Sequence, residues 1–196
     1  MAKRLCDLLA ALAGLIVLAP LLGLIAVLVK MGSDGPVLYR GVRSGRYGRP
    51  FEILKFRTMV QGAESLGGGS TGKNDPRVTR LGRFLRRYKL DELPQLINVV
   101  RGEMSLVGPR PELPKYTRDY TGDEELILTV RPGITDYASM EFLRLDEVLG
   151  HEAPDLVYEM RVRPVKNALR VRYVKEQSFA GDLKIIARTL WKVIAG

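Results

Sequence analysis

One cysteine (Cys6), one histidine (His151) and one tryptophan (Trp191) are all that 196 residues contain of these types. A single thiol rules out an intrachain disulfide, and zinc sites assembled from several His or Cys side chains are excluded as well. Ser-His-Asp or Cys-His catalysis would have to run through His151, which lies in the polar stretch Gly150-His151-Glu152-Ala153-Pro154 and reads as a surface histidine. For an enzyme of this composition the expected working groups are carboxylates, lysines, arginines or a bound cation. At roughly 100–200 residues per domain, the length fits one compact domain and no multidomain machine.

Acidic residues are scarce in one half. Residues 1–90 hold 16 basic and 5 acidic side chains, a net of +11, whereas residues 91–196 hold 15 and 17, a net of −2. Charge this regional calls for a local anionic partner: nucleic acid, anionic lipid or a phosphate-bearing substrate. The mean hydropathy of −0.03 conceals a second unevenness. Residues 8–29 form an apolar run of 22 with no charge. As a helix it would be about 33 Å long, enough to cross a ~30 Å hydrocarbon core.

That run is longer than the roughly 7–15 apolar residues of a signal peptide, and Asp7 interrupts its basic start. Pro20 falls at its middle, where it removes the amide that would bond to the Ile16 carbonyl, so a kink or break is predicted there. Lys3 and Arg4 precede the run; Lys30, Arg40, Arg43, Arg46 and Arg49 follow it. The positive-inside tendency pulls both ends to the cytoplasmic side. Residues 1–30 are therefore expected to form a re-entrant hairpin broken at Pro20, dipping into one leaflet and returning. A simple span is the alternative. Residues 31–196 then form a cytoplasmic domain.

Within residues 78–88, Leu81, Phe84, Leu85 and Tyr88 recur as one helical face, with Arg80, Arg83, Arg86 and Arg87 around it. Residues 181–196 repeat the design: Leu183, Ile186, Leu190 and Ile194 on one side, Lys184, Arg188 and Lys192 on another, Trp191 at the border. Such helices suit an anionic membrane surface, or else pack as ordinary surface helices. Short strands are predicted at 36–40 and 51–57, joined by a Gly/Arg loop over 41–49. The fold class is α+β and mostly helical, a small irregular globe with short strands and interfacial amphipathic helices. Segment 119–159, with eleven acidic and two basic residues, reads as a solvated face.

Segment 67–74, Gly-Gly-Gly-Ser-Thr-Gly-Lys-Asn, comes within one residue of a nucleotide phosphate loop. Asn74 replaces the hydroxyl that would meet magnesium, and Asp75-Pro76 follows where a helix should run, so a mobile loop is the better reading. The densest chemistry lies between Arg86 and Pro111. Asp91 and Glu92 open what looks like a helix over 92–100. They could cap it and complement its dipole. The same placement suits phosphoryl chemistry, with an ionised Asp that holds magnesium or attacks phosphorus. Capping and catalysis could coexist.

Four blocks occur in order: Lys55-Phe56-Arg57-Thr58-Met59; Leu90-Asp91-Glu92-Leu93-Pro94-Gln95-Leu96-Ile97-Asn98-Val99; Gly102 through Pro111, ending Gly108-Pro109-Arg110-Pro111; and Arg131-Pro132-Gly133-Ile134-Thr135. Together they closely resemble the monotopic phosphoglycosyl transferases, bacterial sugar transferases in their small form, over almost the whole chain. The resemblance implies transfer of a phosphosugar from a UDP-sugar to polyprenyl phosphate, with release of UMP. The reaction takes place at the cytoplasmic face of the bacterial inner membrane. Asp91 matches the family's nucleophile, which forms a covalent phosphosugar intermediate, and Glu92 its partner acid. Magnesium (Mg2+) is implied at Asp91 and the diphosphate. Arg86 and Arg110 match phosphate-gripping positions, and Lys55 is a further candidate. After Thr135 the chain departs from the family pattern, reading Asp136-Tyr137-Ala138-Ser139-Met140-Glu141-Phe142. Two other classes remain open: a membrane-tethered nucleic-acid-binding module, which lacks a recognisable motif, and a membrane-surface adaptor.

Overall fold

A computed structural model describes residues 2–66, 70–150 and 152–195. His151 and the three glycines of segment 67–69 lie outside the described residues. Helix α1 (Ala2–Gly32) takes up the apolar run. The predicted break into two helices is not seen: helical structure continues through Pro20. One proline costs one backbone bond and a steric clash, and the good helix formers on either side carry the helix across.

Both halves of α1 are also held by the same globe. Near its start, Arg4 donates to the carbonyls of Val99 and Val100 (2.6 and 3.1 Å), and buried Asp7 accepts from the Ser105 hydroxyl (2.7 Å). Ala11 packs with Ile53, Val99 and Met104. Near its end, Ile25 and Val29 join Phe56 and Leu85. The face turned away from the globe is apolar and exposed, with Ile16 and Val17 about three-quarters accessible.

Strands β1 (Leu38–Ser44) and β2 (Pro50–Phe56) pair antiparallel, Leu38 opposite Phe56 and Ser44 opposite Pro50. The first strand is longer than its sequence suggests, because the turn needs only Gly45 to Arg49, with Tyr47 at a positive φ of 60°. Helix α2 (Arg80–Arg87) is capped by Thr79, whose side chain accepts from the Gly82 amide. A 3₁₀ turn (Leu90–Glu92) leads to α3 (Gln95–Arg101), so the helix expected from Glu92 begins three residues later.

Asn98 of α3 accepts from the Leu54 amide (3.0 Å) and donates to the Glu52 carbonyl (2.8 Å) and to Glu103 (2.7 Å), fastening α3 to β2. It is fully buried. Asn98→Ala would strand these partners, at a cost of about 1–3 kcal/mol, seen as a lower melting temperature in detergent or lipid discs.

Strands β3 (Ser105–Val107) and β4 (Gly133–Thr135) are parallel. They approach so closely that a Cβ on Gly133 would lie 2.1 Å from the Gly108 amide nitrogen. Two of the sequence blocks thus meet where only glycine fits. Short helices α4 (Pro114–Thr117), α5 (Tyr137–Glu141), α6 (Leu145–Leu149) and α7 (Pro154–Val157) precede α8 (Arg163–Glu176) and α9 (Phe179–Ala195).

The amphipathic faces are arranged differently from their periodicity. On α2, Leu85 enters the core while Phe84 is more than half exposed, its ring tilted against that of Tyr88 with centroids 5.0 Å apart. On α9 the face turned to the globe carries buried Asp182 and Ile185, and Leu183, Leu190 and Trp191 point outward. Asp182 takes the inward place because it accepts from Lys3 (2.6 Å) and from the Tyr173 hydroxyl (2.8 Å). The fold is mostly helical α+β, with a long apolar N-terminal helix and few short strands.

Candidate active site

The 3₁₀ turn places Asp91 and Glu92 between β2, α2 and the loop after β3. Lys89, in the left-handed region at φ 55°, starts the turn. Asp91 is 5% exposed, and its Oδ1 accepts no hydrogen bond from the described residues. Nor does it cap a helix: the N-cap position of the turn is Lys89 and that of α3 is Pro94, neither with a side-chain cap bond. Burial, then the neighbouring charge of Glu92, pushes the Asp91 carboxyl above its usual range; Lys55, Arg86 and Lys89 pull the other way.

Glu92 is paired twice. Lys55 at the end of β2 donates to its Oε1 (3.2 Å), and the Arg110 guanidinium donates to the same oxygen. Burial opposes its ionisation, but Arg110, Lys55 and Lys89 outweigh it and hold Glu92 well below the usual carboxylate range. Burial also lowers Lys55, against the pull of Glu92.

Arg110 is fixed at three points. Its other terminal nitrogen donates to the Ile134 carbonyl (2.8 Å), and its backbone amide donates to Asp136 (3.0 Å). Arg86 donates through Nε to the Thr58 hydroxyl (2.8 Å) and makes no ion pair within 4 Å among the described residues. Its two terminal nitrogens remain for an anion.

The five candidate residues thus converge from four elements: Lys55 and Glu92 with Arg110 as an ion-paired trio, Asp91 and Arg86 beside it. Pro20 lies on α1, away from this trio in the sequence and on a different element. Sequence reasoning missed three supports. Asp136 stands in the segment that departs from the family pattern, yet it is fully buried, caps α5 through Ser139 and holds Arg110. Thr58 belongs to a quoted block but had no assigned work. Lys89, next to the acid pair, offered proximity as its only signal.

A magnesium ion fits one part of this set. Magnesium is held by one or two carboxylates plus substrate phosphates, and Asp91 supplies one buried, unsatisfied hard oxygen. Glu92 is committed to Arg110 and Lys55. Among the described residues no group of three or more His, Cys, Asp or Glu gathers to hold a metal alone.

The segment resembling a phosphate loop does other work where it is described. The Ser70 amide donates to Asp155 (2.7 Å) and the Lys73 amide to the Gly150 carbonyl (2.8 Å), so both serve the 150–155 region.

Comparison with known proteins agrees with the four blocks. The bacterial sugar transferase family matches residues 1–196. An undecaprenyl-phosphate glucose phosphotransferase of Komagataeibacter xylinus is 40% identical over 98% of this chain and 36% of its own length. A UDP-glucose:undecaprenyl-phosphate glucose-1-phosphate transferase of Caulobacter vibrioides is 39% identical over 96% of the chain and 68% of its own. The exopolysaccharide production protein ExoY of Rhizobium meliloti is 38% identical over 97% and 84%. The chain thus spans between about a third and most of the length of these relatives. With its whole length matched and its sequence blocks gathered around Asp91 and Glu92, the chain belongs to the bacterial sugar transferase family.

Proposed function

We propose that the protein transfers a phosphosugar from a UDP-sugar to a polyprenyl phosphate at the cytoplasmic face of the bacterial inner membrane, releasing UMP. The observation that carries this is a buried carboxylate, Asp91, with an unpartnered oxygen beside Arg86, Lys55 and the Glu92–Arg110 pair. The names of the relatives, with their undecaprenyl-phosphate acceptors, supply the substrate classes.

The reaction runs in two displacements. An Asp91 oxygen attacks the sugar-bearing phosphorus; the new Asp–phosphorus bond forms as the bond to the bridging oxygen breaks, and UMP leaves with that electron pair. A phosphate oxygen of the acceptor then attacks the same phosphorus and frees the Asp91 carboxylate. The acyl phosphate retains the transfer potential of the donor.

Burial makes ionised Asp91 a poorly solvated and hence reactive anion, while the three nearby cations offset its repulsion by the diphosphate. Glu92, fully ionised, holds Arg110 and Lys55 in place rather than donating a proton. Arg86 and Arg110 grip phosphate oxygens with their remaining N–H groups. Magnesium bound at Asp91 and the diphosphate would supply Lewis-acid neutralisation of the charge that builds on the leaving phosphate.

Residues 1–30 are the membrane-embedded part and residues 31–196 the cytoplasmic catalytic domain. The attachment of α1 to one globe by both Arg4 and Val29 supports a helix whose two ends stay on one side of the bilayer. Outward-facing Phe84, Leu183, Leu190 and Trp191 among arginines and lysines suit the lipid interface.

The test is a panel of UDP-sugars assayed with purified protein and magnesium. UMP should appear in a stoichiometric burst without polyprenyl phosphate and catalytically with it, and mass spectrometry should find a phosphosugar adduct on Asp91. Catalytic UMP release that never shows an adduct on trapping would replace two displacements with one.

A further inference from the structure

A groove of about 490 Å³ lies between the end of α1 and the start of α2. Val29, Gly32 and Ser33 line one wall, Thr79, Arg80, Leu81 and Phe84 the other, and Arg57 lies between them. Its size is that of a small-molecule site. No residue assigned to catalysis above lines it.

Arg57 is unusual. Its side chain is buried, 9% exposed, and one terminal nitrogen donates to the Val29 carbonyl (3.2 Å) and to the Ser33 carbonyl and hydroxyl (2.6 and 3.0 Å). Nε and the other terminal nitrogen are buried and have no acceptor among the described residues. No carboxylate of the described residues pairs with it, so a full positive charge is buried against neutral oxygens. A buried cation in that state is costly until an anion joins it.

Two neighbours add to the attraction for an anion. Arg80, exposed, makes no ion pair among the described residues. The first turn of α2 presents its positive end at Thr79 to Leu81. The rest of the lining, Val29, Leu81 and Phe84, is hydrocarbon or aromatic. A ligand that satisfies both halves has a phosphate head and an apolar tail.

We propose that this groove binds the polyprenyl phosphate acceptor, head towards Arg57 and Arg80, first branched units of the tail along Leu81 and Phe84. The inference rests on the two-displacement reading for the identity of its occupant. Position favours the acceptor over bulk phospholipid. Arg57 is two residues beyond Lys55, and the adjacent Thr58 bonds both Thr79 on the groove wall and Arg86 beside Asp91. The groove also opens where α1 leaves its apolar run, within reach of a lipid moving in the leaflet.

The experiment uses the full chain in lipid discs, comparing the parent with Arg80→Gln and Phe84→Ser. Both side chains are exposed, so the fold survives; Arg57, which ties down the end of α1, is left intact. Direct binding of a short-chain fluorescent polyprenyl phosphate is measured first, in discs with and without phosphatidylglycerol. Steady-state KM for the acceptor and the acceptor-free UMP burst follow.

The expected result is at least tenfold weaker probe binding and a matching rise in acceptor KM for each variant, with the burst retained. Unchanged binding and KM in both variants would overturn the proposal. So would a loss that appears only when phosphatidylglycerol is present, since the groove would then hold bulk anionic lipid. A parent that binds the probe in a variant-sensitive way but gives no burst would leave the groove standing and remove the covalent mechanism instead.

Discussion

Replacing Asp91 by Asn should lower turnover by about a thousandfold or more, as loss of a nucleophile does, while leaving the folded protein at least as stable. Asn keeps the shape but has no anionic oxygen to attack phosphorus. The sign of the stability change follows from the raised pKa. A carboxyl held above its ordinary value of 3.8 binds its proton more tightly when folded than when unfolded. Ionisation at neutral pH therefore weakens the fold, and the neutral Asn variant escapes that cost. The melting temperature at pH 7 should be equal to or above that of the parent. The same shift sets the pH profile: kcat should rise with pH as Asp91 loses its proton, with a midpoint above 3.8. A turnover near that of the parent would remove Asp91 from the chemistry, and a collapsed melting temperature would make its role structural.

Glu92→Gln should damage both activity and stability. Lys55 and Arg110 share one Glu92 oxygen in a partly buried setting. Removing the charge leaves two partly buried cations without their partner, a loss below the roughly 3–5 kcal/mol of a fully buried pair and on the order of 1–3 kcal/mol. Because the folded pKa of Glu92 is depressed, its stabilisation is fully present above its ordinary value of 4.5 and is lost as pH falls below it. The parent's melting temperature should therefore drop below pH 4.5 more steeply than that of the variant. Activity should fall by about a hundredfold, through Arg110 and Lys55 that no longer hold the donor phosphates. A variant whose unfolding curve follows the parent's across pH 3–7 would show that the trio contributes nothing to the fold.

The two acids illustrate what adjacency in sequence hides. Asp91 and Glu92 are neighbours, one buried and one partly buried, both beside cations, yet one is pushed up and the other down. The difference is a pair of contacts: Lys55 lies 37 positions before Glu92 and Arg110 lies 18 after it. No local pattern encodes that distinction. Asp136 is a similar case, an acid in a segment legible only as negative and solvated, which the parallel pairing of β3 and β4 carries into the interior to hold the Arg110 backbone.

Hydrophobic pattern was a good guide to where helices form and a poor one to which face they bury. The run at 8–29, the helix around Leu81 to Leu85 and the C-terminal helix all exist. On α9, however, a buried aspartate took a place on the inward face and left Leu183 and Leu190 outside. A helix with apolar residues on more than one side offers two candidate inward faces, so periodicity alone does not say which is core. Pro20 marks the same limit: its local cost is fixed by its ring, but the continuity of the helix depends on what the globe holds on either side.

The sequence by itself determined the chemical alphabet and the family. With one cysteine and one histidine, the sequence pointed to carboxylates and cations; three of the ordered blocks carried Lys55, Asp91, Glu92 and Arg110, and Arg86 was added by its place five residues before Asp91. The tertiary structure decided their division of labour. Ionisation depends on the field of every nearby charge and on burial, and both are set by residues far apart in the chain. It is the fold that leaves Asp91 with a free oxygen, commits Glu92 to two cations, and buries Arg57 beside an apolar groove without an anion to meet it.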